Sequence, residues 1–356
     1  MFLFSQARQF THQYQDERHL FQLKEHRILL AFALVVAFLF IPFVGSDYLF
    51  SAILVPFLVL GLAGLGLNIL TGFTGQLSLG SAAFMAVGAF AAYNFELRIP
   101  QLPLLISLFL GGLIAALFGV LVGLPSLRIK GFYLIVSTLA AQFFIPWLFT
   151  QYPWFTNNNS SGVITAPALN IFGISLDSPA GHYLFTLGLV VFLTFLAANL
   201  LNSQYGRKFR AVRDMETAAT SLGISVGRTK LLAFAVSSFY LGIAGSLWAF
   251  AYLGTIEADG LDLNRSFQIL FIIIIGGLGS LFGSFLGAAF IVLLPIALNV
   301  IGSAIFGHVL DQALLQNLQK IIFGGLIIFF LIKEPEGLIR LLKKSYQRIR
   351  VWPLRY

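Results

Sequence analysis

Enzyme chemistry needs side chains that attack, move protons or hold metals, and this chain has few in useful places. It contains no cysteine, so a disulfide framework, a thiolate metal site and a catalytic thiol are excluded. Its five histidines, His12, His19, His26, His182 and His308, are scattered and form no paired metal spacing. The nearest approach to a phosphate loop is Gly223-Ile224-Ser225-Val226-Gly227-Arg228-Thr229, which lacks the spacing and the lysine of a nucleotide cradle. No catalytic residue, metal or cofactor is expected. What remains is a set of uncharged polar residues set among apolar ones: Asn68, Thr71, Thr74, Gln76, Ser78, Ser81, Ser137, Thr138 and Gln142. Uncharged polar side chains of this kind can line a path through an apolar protein, and Gln76, Ser78 and Thr138 are the first candidates for lining one. Hydrogen bonding between packed helices is the competing use of the same residues.

The elements that position these residues are apolar. Of 356 residues 58% are hydrophobic and 10% charged, with a mean hydropathy of +0.89. A soluble domain carries about 25% charged residues, so the solvent for most of this chain is lipid. The expected fold class is all-α: a polytopic transmembrane bundle of about ten spans with both termini cytosolic. The spans are placed near Ile28–Val44, Phe50–Leu70, Leu77–Phe95, Leu102–Leu124, Phe132–Thr150, His182–Leu201, Leu231–Leu253, Phe267–Gly276, Leu281–Ile301 and Ala313–Ile332. The net charge of +8 gathers at span ends, the pattern of membrane topology rather than of a nucleic-acid face.

Topology follows from that charge. Residues 1–27 read as a cytosolic tail, residues 28–332 as the transmembrane domain, and residues 333–356 as a basic cytosolic tail. Residues 202–230 carry six basic residues against Asp214 and Glu216 and read as cytosolic, whereas the polar segment 151–181 reads as an external loop. Two glycine-rich interruptions break the apolar runs. One contains Gly72, Gly75 and Gly80, the other Gly276, Gly277, Gly279 and Gly283. Glycine frees the backbone and lets helices approach. A broken helix lining a pathway and a plain tight turn are both open readings of these hinge or helix-break glycines.

The stretch from Phe209 to Leu222 has the spacing of one short amphipathic helix, with Val212, Met215, Ala219 and Leu222 on a single face. Gly223 stands where a C-terminal stop is expected. A compact cytosolic helix can receive displacement from a partner subunit and pass it on. Within it, Glu216-x-Ala218-Ala219-x-x-x-Gly223 resembles the coupling motif of permeases in ATP-binding-cassette importers.

More narrowly, the chain resembles the branched-chain amino acid permeases, over most of residues 60–340. The blocks that carry this are Asn68-Ile69-Leu70-Thr71-Gly72 with Gly75-Gln76-Leu77-Ser78-Leu79-Gly80, and Leu127-Arg128-Ile129-Lys130-Gly131-Phe132-Tyr133. Further on come Arg228-Thr229-Lys230, Gly276-Gly277-Leu278-Gly279-Ser280 and Glu334-Pro335-Glu336-Gly337-Leu338. The chain departs from the family pattern at Ser81, where His or Gln is common, and at Thr156–Val163, where the family has a glycine-rich signature. The resemblance implies a multi-pass inner-membrane permease subunit for branched-chain or similar aliphatic amino acids, without an ATPase site of its own. The implied partners are a second, homologous permease, two ATP-binding subunits and an external solute-binding protein. It also implies coupling through Arg213, Met215, Glu216, Ala218, Ala219, Leu222 and Gly223. A permease for urea or short-chain amides is the alternative within the class, and a stand-alone secondary carrier is the alternative outside it.

Overall fold

The structure, a computed structural model, describes residues 31–32, 34–99, 101–127, 132–159, 163–167, 170–171, 174–175, 178–257, 259–306, 312–333, 337–342 and 344. The tail expected over residues 1–27, the start of the first expected span, residues 128–131 of the second family block and most of the basic C-terminal tail lie outside them.

The main helices are α1 (Val55–Thr74), α2 (Ser81–Arg98), α3 (Leu104–Gly123), α4 (Phe132–Gln151), α5 (Pro179–Asn202), α6 (Gln204–Asp214), α7 (Glu216–Ser221), α8 (Val226–Leu247), α9 (Leu263–Gly276), α10 (Leu281–Phe306) and α11 (Gln312–Lys333). A π-helical stretch, Leu49–Leu54, leads into α1, and another, Trp248–Leu253, extends α8. Six helices among the described residues are long and apolar enough to cross a membrane: Leu49–Thr74, Leu104–Gly123, Tyr133–Gln151, Pro179–Asn202, Val226–Leu253 and Leu281–Val300. At 14 residues, α9 is about 21 Å long, shorter than a full hydrocarbon core.

Sequence explains the layering. Helix α1 is apolar on all sides and is buried along its whole length, as such a helix must be. In α3, Gly112, Gly119 and Gly123 face α8, where added methyls would meet Phe239 and Ile243, Ser238, and Phe234. Its other side presents Leu113, Leu117 and Leu121, all exposed, a stripe at four-residue spacing suited to lipid. Gly88 of α2 lies directly on the Gly242 backbone of α8; without a hydrophobic drive between helices in lipid, this close approach is what holds them together.

Two ends of the bundle can be distinguished. At one, two short strands pair antiparallel: β1 (Val163–Thr165) with β4 (Thr255–Glu257), Ile164 opposite Ile256. This strand end joins the segments 151–181 and 254–266. Strands β2 (Asn170–Ile171) and β3 (Ile174–Ser175) form a second small pair. The opposite, stub end carries α6 and α7. No strand was expected from the sequence: β1 and β4 are three residues each and meet only because the bundle brings their loops together.

Candidate functional site

The stub between α5 and α8 departs from the single helix that its spacing suggests. The apolar repeat runs unbroken through Met215, but the backbone does not. Met215 is extended, with φ −161° and ψ 105°, and divides α6 from α7. Val212 and Ala219 are buried against the bundle, whereas Met215 is 62% and Leu222 78% exposed. The break therefore divides the expected single face into an anchored half and a free half. Ala218 is exposed with the free half.

Each end of the stub is tied to the bundle. Glu216, the first residue of α7, pairs at 2.5 Å with Lys230, whose side chain is buried at the base of α8. A buried ammonium needs such a counterion. Helix α7 ends in a Schellman arrangement: Ile224 N–H donates to Ala219 O (3.0 Å), Gly223 N–H donates to Thr220 O (2.9 Å), and Gly223 has φ +78°. Arg213, clamped by Asp214 at 2.9 Å, donates from Nη1 to the carbonyl of Gly72 at 3.0 Å. That carbonyl lies in the last turn of α1, where a cation is favoured by the helix dipole.

Arg213 thus reaches the first glycine-rich interruption, and the second adjoins it. Asn68 donates to Ser280 O (2.9 Å) and Ser284 Oγ (2.9 Å), and its Oδ1 accepts from Gly279 N–H (2.8 Å). A methyl on Gly72 would overlap Asn68 Oδ1 and Gly279 N. Gly277 and Gly279 have φ +124° and +74° in the turn between α9 and α10, where Gly276 and Gly283 pack backbone on backbone.

The first interruption is not a turn. Gly75 caps α1 with φ +75°. From there the chain runs non-helically to Gly80, so the span expected to begin at Leu77 becomes helical only at Ser81. Along this stretch residues alternate as in a strand: Gln76, Ser78 and Gly80 point into the bundle, and Gly75 and Leu77 point out. Thr138 Oγ1 accepts from Leu79 N–H at 3.1 Å and donates to Ile135 O, and Gly80 rests on the Thr138 carbonyl. Ser78 Oγ accepts from Gly80 N–H. Gln76 is 4% exposed, yet neither polar atom of its amide has a partner.

The start of α2 is held by Gln142, one of the polar residues set among apolar ones, and by Ser266. Ser266 Oγ accepts from Ala82 N–H (2.9 Å), and Gln142 Oε1 accepts from Ala83 N–H (2.8 Å) and Ser266 Oγ (2.8 Å). Gln142 Nε2 donates to Leu261 O (3.0 Å). These are the orphan donors of a helix N-terminus, satisfied from α4 and α9. Nothing in local spacing marks Ser266 or Lys230 for these roles.

No group of three or more His, Cys, Asp or Glu side chains that could hold a metal occurs among the described residues. The arrangement is a stub with exposed apolar side chains, whose Arg213 guanidinium bonds the Gly72 carbonyl and lies beside Gly279.

Comparison with known proteins agrees in kind. Over 304 residues the chain is 32% identical to the high-affinity branched-chain amino acid transport system permease protein LivM of Salmonella typhimurium, covering 78% of this chain and 66% of that protein. LivM of Escherichia coli matches to the same extent, so the chain spans just under two thirds of the length of these relatives. The autoinducer 2 import system permease protein LsrC of an Enterobacter strain is 30% identical over 223 residues, 61% of each chain. No solved structure matches. Residues 49–331 match the family described as the branched-chain amino acid transport system / permease component; a bundle held by glycine contacts and interrupted in two places is thus what this chain builds as a member of that permease family.

Proposed function

We propose that the chain is the permease subunit of an ATP-binding-cassette importer for branched-chain or similar neutral aliphatic amino acids. A second, related permease completes the pathway, two separate subunits hydrolyse ATP, and an external binding protein delivers the solute. The chain then crosses the inner membrane about ten times, with both termini and the stub cytosolic and the strand end external. Family membership supports the class, and basic residues around the stub support this orientation.

The observation that carries the reading is the divided stub. Val212, Ala219 and the Glu216–Lys230 pair fix it to the bundle, while Met215 and Leu222 remain exposed to meet a groove on an ATPase. A rigid short helix transmits displacement that a loose loop would absorb. Closure of the ATPase dimer moves α7, and the differential affinity of the ATPases for two states of the bundle biases it between outward and inward openings.

The test is direct. Cross-linkers at Thr217 or Thr220, both exposed on α7, are expected to capture a nucleotide hydrolase in native membranes. Glu216→Lys and Gly223→Pro are expected to abolish ATP-driven uptake while leaving membrane insertion intact. Normal uptake by both variants would remove the coupling role. Competition of labelled leucine uptake by unlabelled leucine against urea separates the aliphatic amino acid reading from an amide permease, and transport in liposomes by this chain alone would make it a secondary carrier.

A further inference from the structure

The interruption Gly75–Gly80 places polar backbone where a membrane protein can least tolerate it. Its lower end lies at the stub, since Gly75 packs on the Arg213 side chain. Its upper end is fixed by Ala82, which bonds Ser266 in α9. From Ser266 to Gly276, where α9 reaches the level of the stub, is ten residues, a rise of about 15 Å. Six extended residues cover that distance within their reach of about 20 Å. Helix α2 therefore begins about 15 Å from the stub, about half the thickness of a hydrocarbon core, and the stretch between is non-helical chain.

Within this stretch the peptide N–H groups of Leu77 and Ser78 have no hydrogen-bond partner among the described residues. Leu77 points away from the bundle and is 47% exposed. The amide of Gln76 has unused hydrogen-bonding capacity on the inner side. Irregular backbone at membrane depth is sheltered by protein or lines a water-filled cavity, never lipid. A neighbouring transmembrane helix, its own backbone already paired, has few groups to offer these peptides; water has both donors and acceptors.

We propose that the outward side of the extended stretch at Leu77 is a wall of the solute pathway, presenting the exposed Leu77 side chain together with its unpaired peptide N–H. This rests on the importer reading and adds the chemistry of the wall. Apolar side chain and polar backbone stand next to each other, which suits a solute with an aliphatic side chain and a zwitterionic head. The polar side chains Ser78 and Thr138 are instead occupied inside, holding the stretch open.

Because the chain has no cysteine, a single introduced thiol is a clean probe. Full-length Leu77→Cys and Leu121→Cys, the latter on the exposed outer stripe of α3, are compared in native membrane vesicles containing the partner subunits and opened to both sides. The reagent is a charged methanethiosulfonate, excluded from hydrocarbon. Leu77→Cys is expected to react at least about tenfold faster than Leu121→Cys, and saturating L-leucine is expected to slow it. Equal rates would overturn the proposal, meaning that lipid or a partner subunit covers Leu77. Should Leu77→Cys not insert, Leu79→Cys on the same side serves as the probe with the same two outcomes. ATP-driven leucine uptake by the cysteine-free parent is measured alongside. If uptake is absent but Leu77→Cys reacts fast, the importer reading fails and the wet wall stands; uptake with an unreactive Leu77→Cys sinks the wall alone.

Discussion

The two glycine-rich regions are close in composition and adjacent in space, yet they do opposite things to the backbone. Gly276–Gly283 closes a tight turn, with Gly277 and Gly279 in the positive-φ region and α9 and α10 packed glycine on glycine. Gly75–Gly80 opens: one positive φ at Gly75, then a strand-like run pinned by Thr138. The difference lies in what each region meets. The turn is gripped by Asn68 through both of its polar atoms, whereas the extended run is tied to the end of α1 through the Gln76 backbone and to α4 through Leu79. Glycine content permits a break; neighbours decide its shape.

That contrast can be broken most severely at Gly72, which sits in the last turn of α1, just before the extended run, and lies against Gly279 of the turn. Gly72→Ala would push a methyl into Asn68 Oδ1 and the Gly279 backbone, with no flexible side-chain end to give way on the backbone side. A loss of about 3 kcal/mol is expected, read as reduced thermal stability in detergent together with lost uptake. Asn68→Leu keeps the bulk and removes the staple, leaving the Gly279 N–H unpaired; about 2 kcal/mol is expected, by the same thermal measurement. An unchanged melting temperature in either variant would mean the turn holds itself without α1.

Smaller effects distinguish the extended run from the turn. Thr138→Val frees the Leu79 N–H and should cost about 1 kcal/mol, while hydrogen exchange rises at residues 79–80 and stays constant at 276–283. Exchange rising equally in both regions would show that they open as one unit. Leu77→Ala is the mildest case. Its side chain is half exposed in the chain by itself, so stability should shift by no more than about 0.5 kcal/mol, while competition assays on uptake report any change in preference among leucine, valine and alanine. A larger loss of stability would place Leu77 in a protein contact.

Much of the architecture was legible beforehand. The apolar runs marked the membrane helices to within a few residues: Leu102–Leu124 became Leu104–Gly123 and His182–Leu201 became Pro179–Asn202. The glycine stripe of α3 is readable because helical period is a local property. The stub was legible as a basic segment with an apolar spacing, but its break at Met215 was not, since the apolar spacing in the sequence runs on across the bend while the backbone there turns extended. The start of α2 was misplaced for a related reason. Leu77 and Leu79 are as apolar as the helix that follows, and hydropathy does not distinguish an extended apolar segment from a helical one.

Polar residues divided less predictably. Gln76, Ser78 and Thr138 are all buried; Ser78 and Thr138 have backbone partners, whereas the Gln76 amide has none, a difference that residue type does not encode. Asn68 sits one turn before Gly72, a spacing that shows it shares that face but not that it binds Ser280, 212 positions later.

The sequence by itself determined the solvent, the helices, the family and the place of the stub, because each follows from short-range pattern: hydropathy over a span, charge at its ends, a motif within eight residues. Tertiary structure alone decided which glycine region stretches and which turns, which polar groups are consumed as staples, and which side of Gly75–Gly80 faces outward. Those outcomes depend on donors and acceptors brought together from distant parts of the chain, such as Arg213 on the Gly72 carbonyl and Ser266 on Ala82, and no local period encodes such a meeting.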